Sequence, residues 1–217
     1  MKTKLILLLA IVVGSTASAT MQIPDKAIYD GKEYWLERLG NFLMESYFKE
    51  YPDMHSIKAT LLRPRSTALW RGYVATYEVK DRQLYLKDME IPEYTIEDGN
   101  RQIRWESVMD KVFPDKKPLK IDWASGLLVL EPPRGETRRE IILLEIDKGD
   151  IKKEKQFADS EEYKTFKAKQ FQAFKKTKPD EYKKAVEETK KFGRSGNRVD
   201  DSIETFITRY STKILVD

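Results

Sequence analysis

The sequence predicts an α+β fold, in which an antiparallel β-rich body is followed by C-terminal amphipathic helices. Alternating apolar residues and turn dipeptides dominate from Ile28 to about Phe157, and this pattern is typical of antiparallel strands. Beyond Phe157, apolar residues recur at helical spacing. Hydrophobic residues make up 40% of the chain and aromatic residues 11%, which is a globular rather than a disordered composition.

Residues 1–19 have the pattern of a secretory signal peptide. Lys2 and Lys4 form a basic start, and the apolar run from Leu5 to Val13 follows. Ala17-Ser18-Ala19 then supplies the small residues of a cleavage site. Because a membrane-spanning helix needs about 20 apolar residues, a retained anchor is the less favoured alternative. We expect cleavage before Thr20 and a periplasmic or secreted protein without a transmembrane segment.

The chain contains no cysteine. Attachment of lipid to a cysteine at the processing site is therefore excluded, so the protein is not a lipoprotein, and its stability cannot come from disulfide bonds. The mature chain is expected to consist of a β-rich domain, residues 20–157, and a helical C-terminal segment, residues 158–217.

The first half of the body contains two predicted hairpins. Asp30-Gly31 is a strong turn signal because both residues tolerate a positive φ. The segment from Ser66 to Ile91 predicts two long strands around a turn at residues 80–83, with Tyr77 opposite Leu86 and Tyr73 opposite Glu90. Both faces of this hairpin carry apolar residues, so we expect it to be covered on both sides and most of its aromatic rings to be buried. Between the hairpins, apolar spacing predicts a short helix that ends near Pro52.

The second half of the body predicts further strands. Ile121–Trp123 and Leu127–Leu130 are expected to flank a turn at Ser125-Gly126. The sequence from Thr137 to Phe157 predicts a last hairpin, with Gly149-Asp150 in its turn.

The C-terminal segment predicts amphipathic helices. One follows Asp159 or Ser160, either of which can cap it, and the next begins at Pro179 and ends at Gly193. Helical spacing continues in the last segment. The apolar residues of that last segment are Ile203, Phe206, Ile207, Tyr210 and Ile214.

Three strand segments, WRGYVATYEVKDRQLYLKDMEI, DWASGLLVL and REIILLEIDKGDI, resemble an uncharacterised family of small bacterial proteins. That family has a G-Y-x-A-T-W-E-I strand leading into L-Y-L, and a later D-W-F-S-G segment. The resemblance covers about residues 27 to 151. The matching residues are Gly72, Tyr73, Ala75, Thr76, Glu78, Leu84, Tyr85, Leu86, Ile91, Asp122, Trp123, Ser125 and Gly126. The chain departs from the family at two positions. The family has Trp where this chain has Tyr77, and an aromatic residue where this chain has Ala124. The resemblance implies a β-rich domain and an exported protein, and it supplies no activity.

The residue types exclude several chemistries. His55 is the single histidine, so neither a histidine-based metal site nor a Ser-His-Asp or Cys-His mechanism has its parts. We expect no metal and no cofactor. A hydrolase that uses paired carboxylates and acts on envelope glycans remains an alternative. Its candidate residues are Glu78, Asp88, Glu90 and Asp122, although ion pairs and turns explain these acids equally well.

The charge pattern does not favour nucleic acid as a partner. The net charge of +4 includes the two lysines of the leader, and nucleic-acid binding requires a concentrated basic field. The lysines of residues 152–191 alternate with acids, as on a solvated helix face. A peripheral membrane-surface protein that uses the amphipathic helix at 160–176 is a further alternative.

The best candidate binding residues are Trp70, Arg71, Asp122 and Trp123. Trp70 and Arg71 begin a predicted strand, whereas Asp122 and Trp123 lie beside the Ser125-Gly126 turn, and strand ends are where a scaffold presents contact residues. Trp and Arg also dominate binding interfaces. The alternative is that all four pack or pair internally. We expect an exported protein that binds an envelope or extracellular macromolecule rather than an enzyme.

Overall fold

The computed structural model describes residues 22–36, 42–114, 118–191 and 195–216. The leader and Gly193 lie outside these residues. The strands are β1 (Lys26–Tyr29), β2 (Lys32–Leu36), β3 (Val74–Lys80), β4 (Gln83–Glu97), β5 (Asn100–Ser107), β6 (Leu119–Lys120), β7 (Gly126–Glu131), β8 (Ile141–Asp147) and β9 (Asp150–Phe157). The helices are α1 (Phe42–Glu50), α2 (His55–Thr60), α3 (Met109–Val112), α4 (Ser160–Thr177), α5 (Pro179–Lys191), α6 (Asn197–Thr205) and α7 (Ile207–Tyr210), and a single 3-10 turn covers Pro52–Met54. The predicted α+β class is confirmed.

The strands form one sheet that closes into a ring. Its order is β3-β1-β2-β7-β8-β9-β4, and β4 pairs in turn with β3. The pairing of β1 with β3 is parallel, while the other pairings are antiparallel. Among the described strands, β5 pairs only with β4 and therefore lies outside the ring.

The interior of the ring holds the main core. Tyr73, Tyr77 and Leu86 are fully buried there, in one cluster with Met44 and Phe48 of α1. The apolar positions of α1 are thus explained by their packing into the core. Tyr73 and Tyr77 of the central hairpin are buried, but Tyr85 is half-buried and Trp70 is 54% exposed, so only two of its four aromatic side chains are buried as predicted.

The C-terminal helices pack on the outer face of the sheet. Tyr163 and Phe166 of α4 form one cluster with Phe157 and with Ile214 of the C-terminal tail. Farther along α4, Phe171 and Phe174 pack against α5 and α6. Asp159 caps α4 as predicted, since its Oδ1 accepts from two backbone N–H groups at 3.0 Å. Within the described ranges, none of the helices is both long enough and apolar enough to cross a bilayer.

The central hairpin differs from its predicted register by one residue. Tyr77 faces Leu86 as predicted, but Val74 rather than Tyr73 faces Glu90, because a β-bulge lies between Thr76 and Tyr77. The bulge also changes which residues share a face. Met89 pairs with Ala75 and is buried in the main core, whereas strict alternation predicts it on the opposite face.

The outer face of this hairpin is more open than predicted. Thr76, Glu78 and Tyr85 are half-buried, and Lys87 is exposed. Glu78 and Lys87 form an ion pair at 2.8 Å across this face. The expectation that the hairpin is covered on both sides is wrong because ring closure encloses only its inner face.

Two turns and two element boundaries test the sequence prediction further. Asp30-Gly31 forms the predicted turn, with φ values of 49° and 70°. The last hairpin instead turns one residue earlier, at Lys148-Gly149. Residues 121–123 form no strand, because the chain turns there against the end of the ring. The final helical pattern is interrupted at Phe206 and ends at Tyr210, after which residues 211–216 form no regular element and Ile214 packs on the sheet.

Candidate functional site

The structure places the four predicted binding residues in two groups. Trp70 and Asp122 are exposed, Trp123 is half-buried and Arg71 is buried. Arg71 contacts the segment before β1, whereas Trp123 contacts α1. Among the described residues, no hydrogen bond or ring contact joins Trp70 or Arg71 to Asp122 or Trp123.

Arg71 forms a buried ion pair that sequence reasoning did not anticipate. Its Nη2 donates to Asp25 Oδ1 at 2.9 Å and to the Ile23 carbonyl at 3.1 Å. The same carboxylate oxygen accepts from the Ala75 N–H at 2.9 Å. Asp25 therefore joins the segment before β1 to the beginning of β3. Nothing in the sequence distinguishes Asp25 from the many exposed acids of this chain.

The surroundings of Asp25 favour its neutral form. Burial raises the pKa of Asp25 to about 6, and the charge of Arg71 opposes that rise only in part. Burial also holds the pKa values of Tyr73 and Tyr77 well above the ordinary range of tyrosine. Asp25 Oδ2, the Tyr77 hydroxyl, and Nε and Nη1 of Arg71 have no hydrogen-bond partner among the described residues. This polar cluster can hold a proton on Asp25 below about pH 6, and it is closed to large ligands.

Trp123 has a structural role at the end of the ring. Its Nε1 donates to the Leu43 carbonyl at 2.8 Å, and its ring lies 4.5 Å from the Tyr47 ring. Ser125 Oγ donates to Asp147 at 3.1 Å and accepts from the Lys148 N–H at 2.9 Å. The D-W-x-S-G segment therefore connects α1 to the β8–β9 turn. The groove beside Trp123 and Ser125 measures about 260 Å³, and a separate groove of about 360 Å³ on α1 is lined by Glu45, which pairs with Lys58.

Two of the four acids proposed for carboxylate catalysis, Asp88 and Glu78, have other partners. Asp88 accepts from Ser107 Oγ at 2.6 Å, and Glu78 pairs with Lys87 at 2.8 Å. Asp122 is exposed. In the described part of the chain, no group of three or more His, Asp or Glu side chains is arranged to hold a metal ion.

The most unusual exposed feature is a two-stranded ribbon formed by β5 and the end of β4. Eight consecutive residue pairs join the two strands, from Glu90–Ser107 to Glu97–Asn100. A tight turn at Asp98-Gly99 connects them, and both turn residues have positive φ values of 51° and 76°. Every residue from 102 to 107 is exposed. The ribbon therefore extends away from the ring.

One face of the ribbon is mostly apolar. In antiparallel pairing, residues directly opposite each other share a face, so the pairs Pro92–Trp105, Tyr94–Ile103 and Ile96–Arg101 lie on one side. The other side carries the pairs Glu93–Arg104 and Thr95–Gln102. We call the apolar side, comprising Pro92, Tyr94, Ile96, Ile103 and Trp105, the ribbon face.

Three of the five side chains of the ribbon face are accessible to solvent, whereas Tyr94 is half-buried and Pro92 is buried. The exposed fractions are 80% for Ile96, 58% for Ile103 and 39% for Trp105. Adjacent exposed apolar side chains are typical of contact surfaces, whereas isolated ones are ordinary. This ribbon was not predicted from the sequence, although the Asp98-Gly99 dipeptide between alternating apolar residues is a strong hairpin signal.

Comparison of the chain with protein-family models, with curated proteins and with solved structures found no match in any of the three.

Proposed function

We propose that this protein is exported and acts by binding an envelope or extracellular macromolecule through the ribbon face. The observation that carries the proposal is the exposure of Ile96, Ile103 and Trp105 on one side of a two-stranded ribbon. Their exposure has an energetic cost, since covering apolar surface contributes about 25 cal/mol per Å². A partner that covers this face would recover that free energy.

The residue types of the ribbon face support binding. Trp and Tyr are enriched in binding interfaces, where they supply large contact areas at low entropic cost. Trp105 lies on the exposed strand β5, at the base of the ribbon face. The polar side of the ribbon, with Glu93 and Arg104, remains solvated when a partner covers the apolar side.

Export is the second part of the proposal and is supported by the basic, apolar and small-residue regions of residues 1–19. The resemblance to a family of exported bacterial proteins is consistent with it. Mass spectrometry of the protein from the extracytoplasmic fraction should show an N-terminus at Thr20. Recovery from that fraction with an intact Met1 would contradict cleavage.

The binding proposal is tested by affinity capture from native envelope fractions. The mature protein, a Trp105→Ser variant and a Gln102→Ser variant serve as baits. Gln102 is the matched control because it is exposed on the polar side of the same strand. Because Trp105 is only 39% exposed, thermal unfolding of all three baits is measured to establish that each is folded at the capture temperature.

The expected result is that Trp105→Ser loses a component that the mature protein and Gln102→Ser both retain. Mass spectrometry then identifies that component. Equal capture by all three baits would contradict a role for the ribbon face.

A further inference from the structure

The outer edge of β5 has unpaired backbone groups. In a hairpin closed by a two-residue turn, the residues flanking the turn exchange hydrogen bonds, and bonded positions then alternate along the strands. Asn100, Gln102, Arg104 and Glu106 therefore direct their backbone groups toward β4. The bond from the Val108 N–H to the Met89 carbonyl, at 2.8 Å, agrees with this parity. Ile103 and Trp105 consequently direct their N–H and C=O groups toward the outer edge.

The two edges of the ribbon differ in their protection. Pro92 lies on the outer edge of β4 and removes an N–H group from it. Natural edge strands are blocked by charged side chains, especially lysine, or by proline, bulges or short length. β5 carries the charged residues Arg101, Arg104 and Glu106, but it has no proline or lysine, is eight residues long, and pairs with β4 without a register shift. The described part of the chain provides no strand that covers this edge.

We propose that two copies of this chain join through their β5 edges to form a continuous four-stranded antiparallel sheet. A twofold axis perpendicular to the sheet keeps both ribbon faces on the same side. This symmetry requires residues of equal parity to face each other. The inference deepens the proposed function and rests on it, since the dimer enlarges the same binding face.

Charge and strand length select the register. Placing Arg104 opposite itself would set like charges against each other, which is destabilising. Centring the axis on Trp105 would shift the pairing toward Val108, which is buried and already bonded to β4. Centring it on Ile103 instead lets seven of the eight residues of β5 pair, with Gln102 opposite Arg104 of the second copy. We therefore assign Ile103 to the axis.

The size of the ribbon explains why a dimer is useful for binding. A two-stranded ribbon of eight residue pairs is about 27 Å long and about 10 Å wide. This is small compared with the roughly 800 Å² per partner of a standard interface. Joining two ribbons doubles the continuous apolar face.

A lipid surface is a less suitable occupant of this region. The tip of the ribbon carries Glu97 and Asp98, next to Gly99, and acidic groups are repelled by the anionic surface of a membrane. The unpaired edge also requires hydrogen-bonding groups in line, which a β-strand supplies and an acyl chain does not.

The register is tested with single cysteines, because the chain has none of its own. In the proposed dimer the two copies of residue 103 form a hydrogen-bonded pair, with Cα atoms about 5.5 Å apart. A disulfide spans about 4.4–6.8 Å between Cα atoms. Under mild oxidation, Ile103→Cys should therefore form a covalent dimer. Gln102→Cys and Arg104→Cys should not self-link, but an equimolar mixture of the two should form heterodimers.

The noncovalent dimer is tested by sedimentation of the mature protein across a dilution series. The wild type should dissociate on dilution, and Ile103→Lys should remain monomeric at every concentration. Thr95→Lys is the matched control, because Thr95 is exposed on the polar side of β4, and it should dimerise like the wild type. Circular dichroism confirms that each variant is folded.

Two outcomes would overturn the dimer: self-linking of Arg104→Cys, or a monomeric wild type with unlinked Ile103→Cys. Binding to anionic phospholipid vesicles that Trp105→Ser abolishes would contradict the argument that a lipid surface does not cover this region. A monomeric wild type would leave the envelope-capture result of the proposed function standing. Conversely, covalent dimers of Ile103→Cys together with capture that Trp105→Ser does not change would support the dimer and contradict the proposed function.

Discussion

At the scale of single residues, burial rather than residue type decides what Asp25 and Arg71 do. Arg71 is a residue type favoured in interfaces, and its position at a strand end made it a reasonable candidate from sequence. It is 2% exposed and bonded to Asp25, which is 0% exposed. A local pattern cannot reveal this pair because its members are 46 positions apart.

The raised pKa of Asp25 predicts a pH dependence of stability. In the unfolded chain the carboxyl has an ordinary value of 3.8, whereas in the folded protein its pKa is about 6. Between these values the folded state binds more protons, so the free energy of unfolding falls as pH rises through this window. The stabilisation is fully present below about pH 4 and is lost above about pH 6. At 1.36 kcal/mol per pKa unit, its size is on the order of 3 kcal/mol.

Asp25→Asn isolates this contribution. An asparagine keeps a carbonyl oxygen that can accept from Arg71 and Ala75, but it cannot ionise. Urea denaturation of both proteins at several pH values should show the wild type losing stability relative to the variant from pH 4 to pH 7. A stability difference that does not change with pH would contradict the assignment. Glu45, Tyr73 and Tyr77, which also surround Asp25, are common to both proteins.

At the scale of elements, the success of the sequence prediction depends on whether the determining interactions are local. Asp30-Gly31 and the cap at Asp159 were predictable because turn and cap preferences act within a few residues. The bulge at Thr76 and Tyr77 was not predictable, since it arises from pairing with a second strand. Phe206 interrupts a helical pattern whose apolar spacing continues without a break, so periodicity alone could not locate that end.

Gly72, which lies just before β3, should not tolerate a larger side chain. Its φ is +83°, and an added Cβ would lie 2.2 Å from the Arg63 carbonyl oxygen. The backbone around this oxygen cannot give way as a flexible side chain can, so Gly72→Ala combines backbone strain with a clash. Gly99 is the matched control, because its φ is +76° and no atom lies within 4 Å of an added Cβ.

Gly99→Ala should cost about 1–2 kcal/mol from its positive φ alone. Gly72→Ala should cost several kcal/mol, or prevent folding, as measured by the urea midpoint and by the yield of soluble protein. Equal losses in the two variants would contradict the close approach at Gly72.

A second prediction at this scale concerns the packing of β4 inside the ring. Leu86 is 0% exposed, so Leu86→Ala should lower the free energy of unfolding by about 2–5 kcal/mol through cavity formation. Lys87→Ala is the neighbouring exposed control and should change stability by less than about 1 kcal/mol, because it removes only a surface ion pair. An unchanged denaturation midpoint for Leu86→Ala would contradict the burial of this strand.

At the scale of the whole molecule, the sequence predicted the class of the fold but not the closure of the ring. Closure depends on the contact of β4 with β9, which consists of a single residue pair, Gln83–Asp150, and on the parallel pairing of β1 with β3. Such distant pairings leave no periodic signal. The C-terminal helices were predicted correctly, and they are α4 to α7. Their packing on β7, β8 and β9 follows from the apolar outer face of those strands.

This packing predicts that the sheet and the helices unfold together. The four tryptophans all lie in the β-rich body, so their fluorescence reports on the sheet, while circular dichroism at the helical band reports mainly on α4 and α5. The two signals should follow one transition, which is the behaviour of a single cooperative unit. Helix loss at a lower temperature than the fluorescence change would indicate two independent units.

We propose that this protein binds other molecules through the ribbon, and amide hydrogen exchange along β5 tests this role most directly. The amides of Gln102 and Arg104, which face β4, should be protected at every protein concentration. The amides of Ile103 and Trp105 should exchange fast in dilute protein and become protected as concentration rises or when the captured envelope component is added. Exchange at Ile103 and Trp105 that stays fast under all of these conditions would contradict the account.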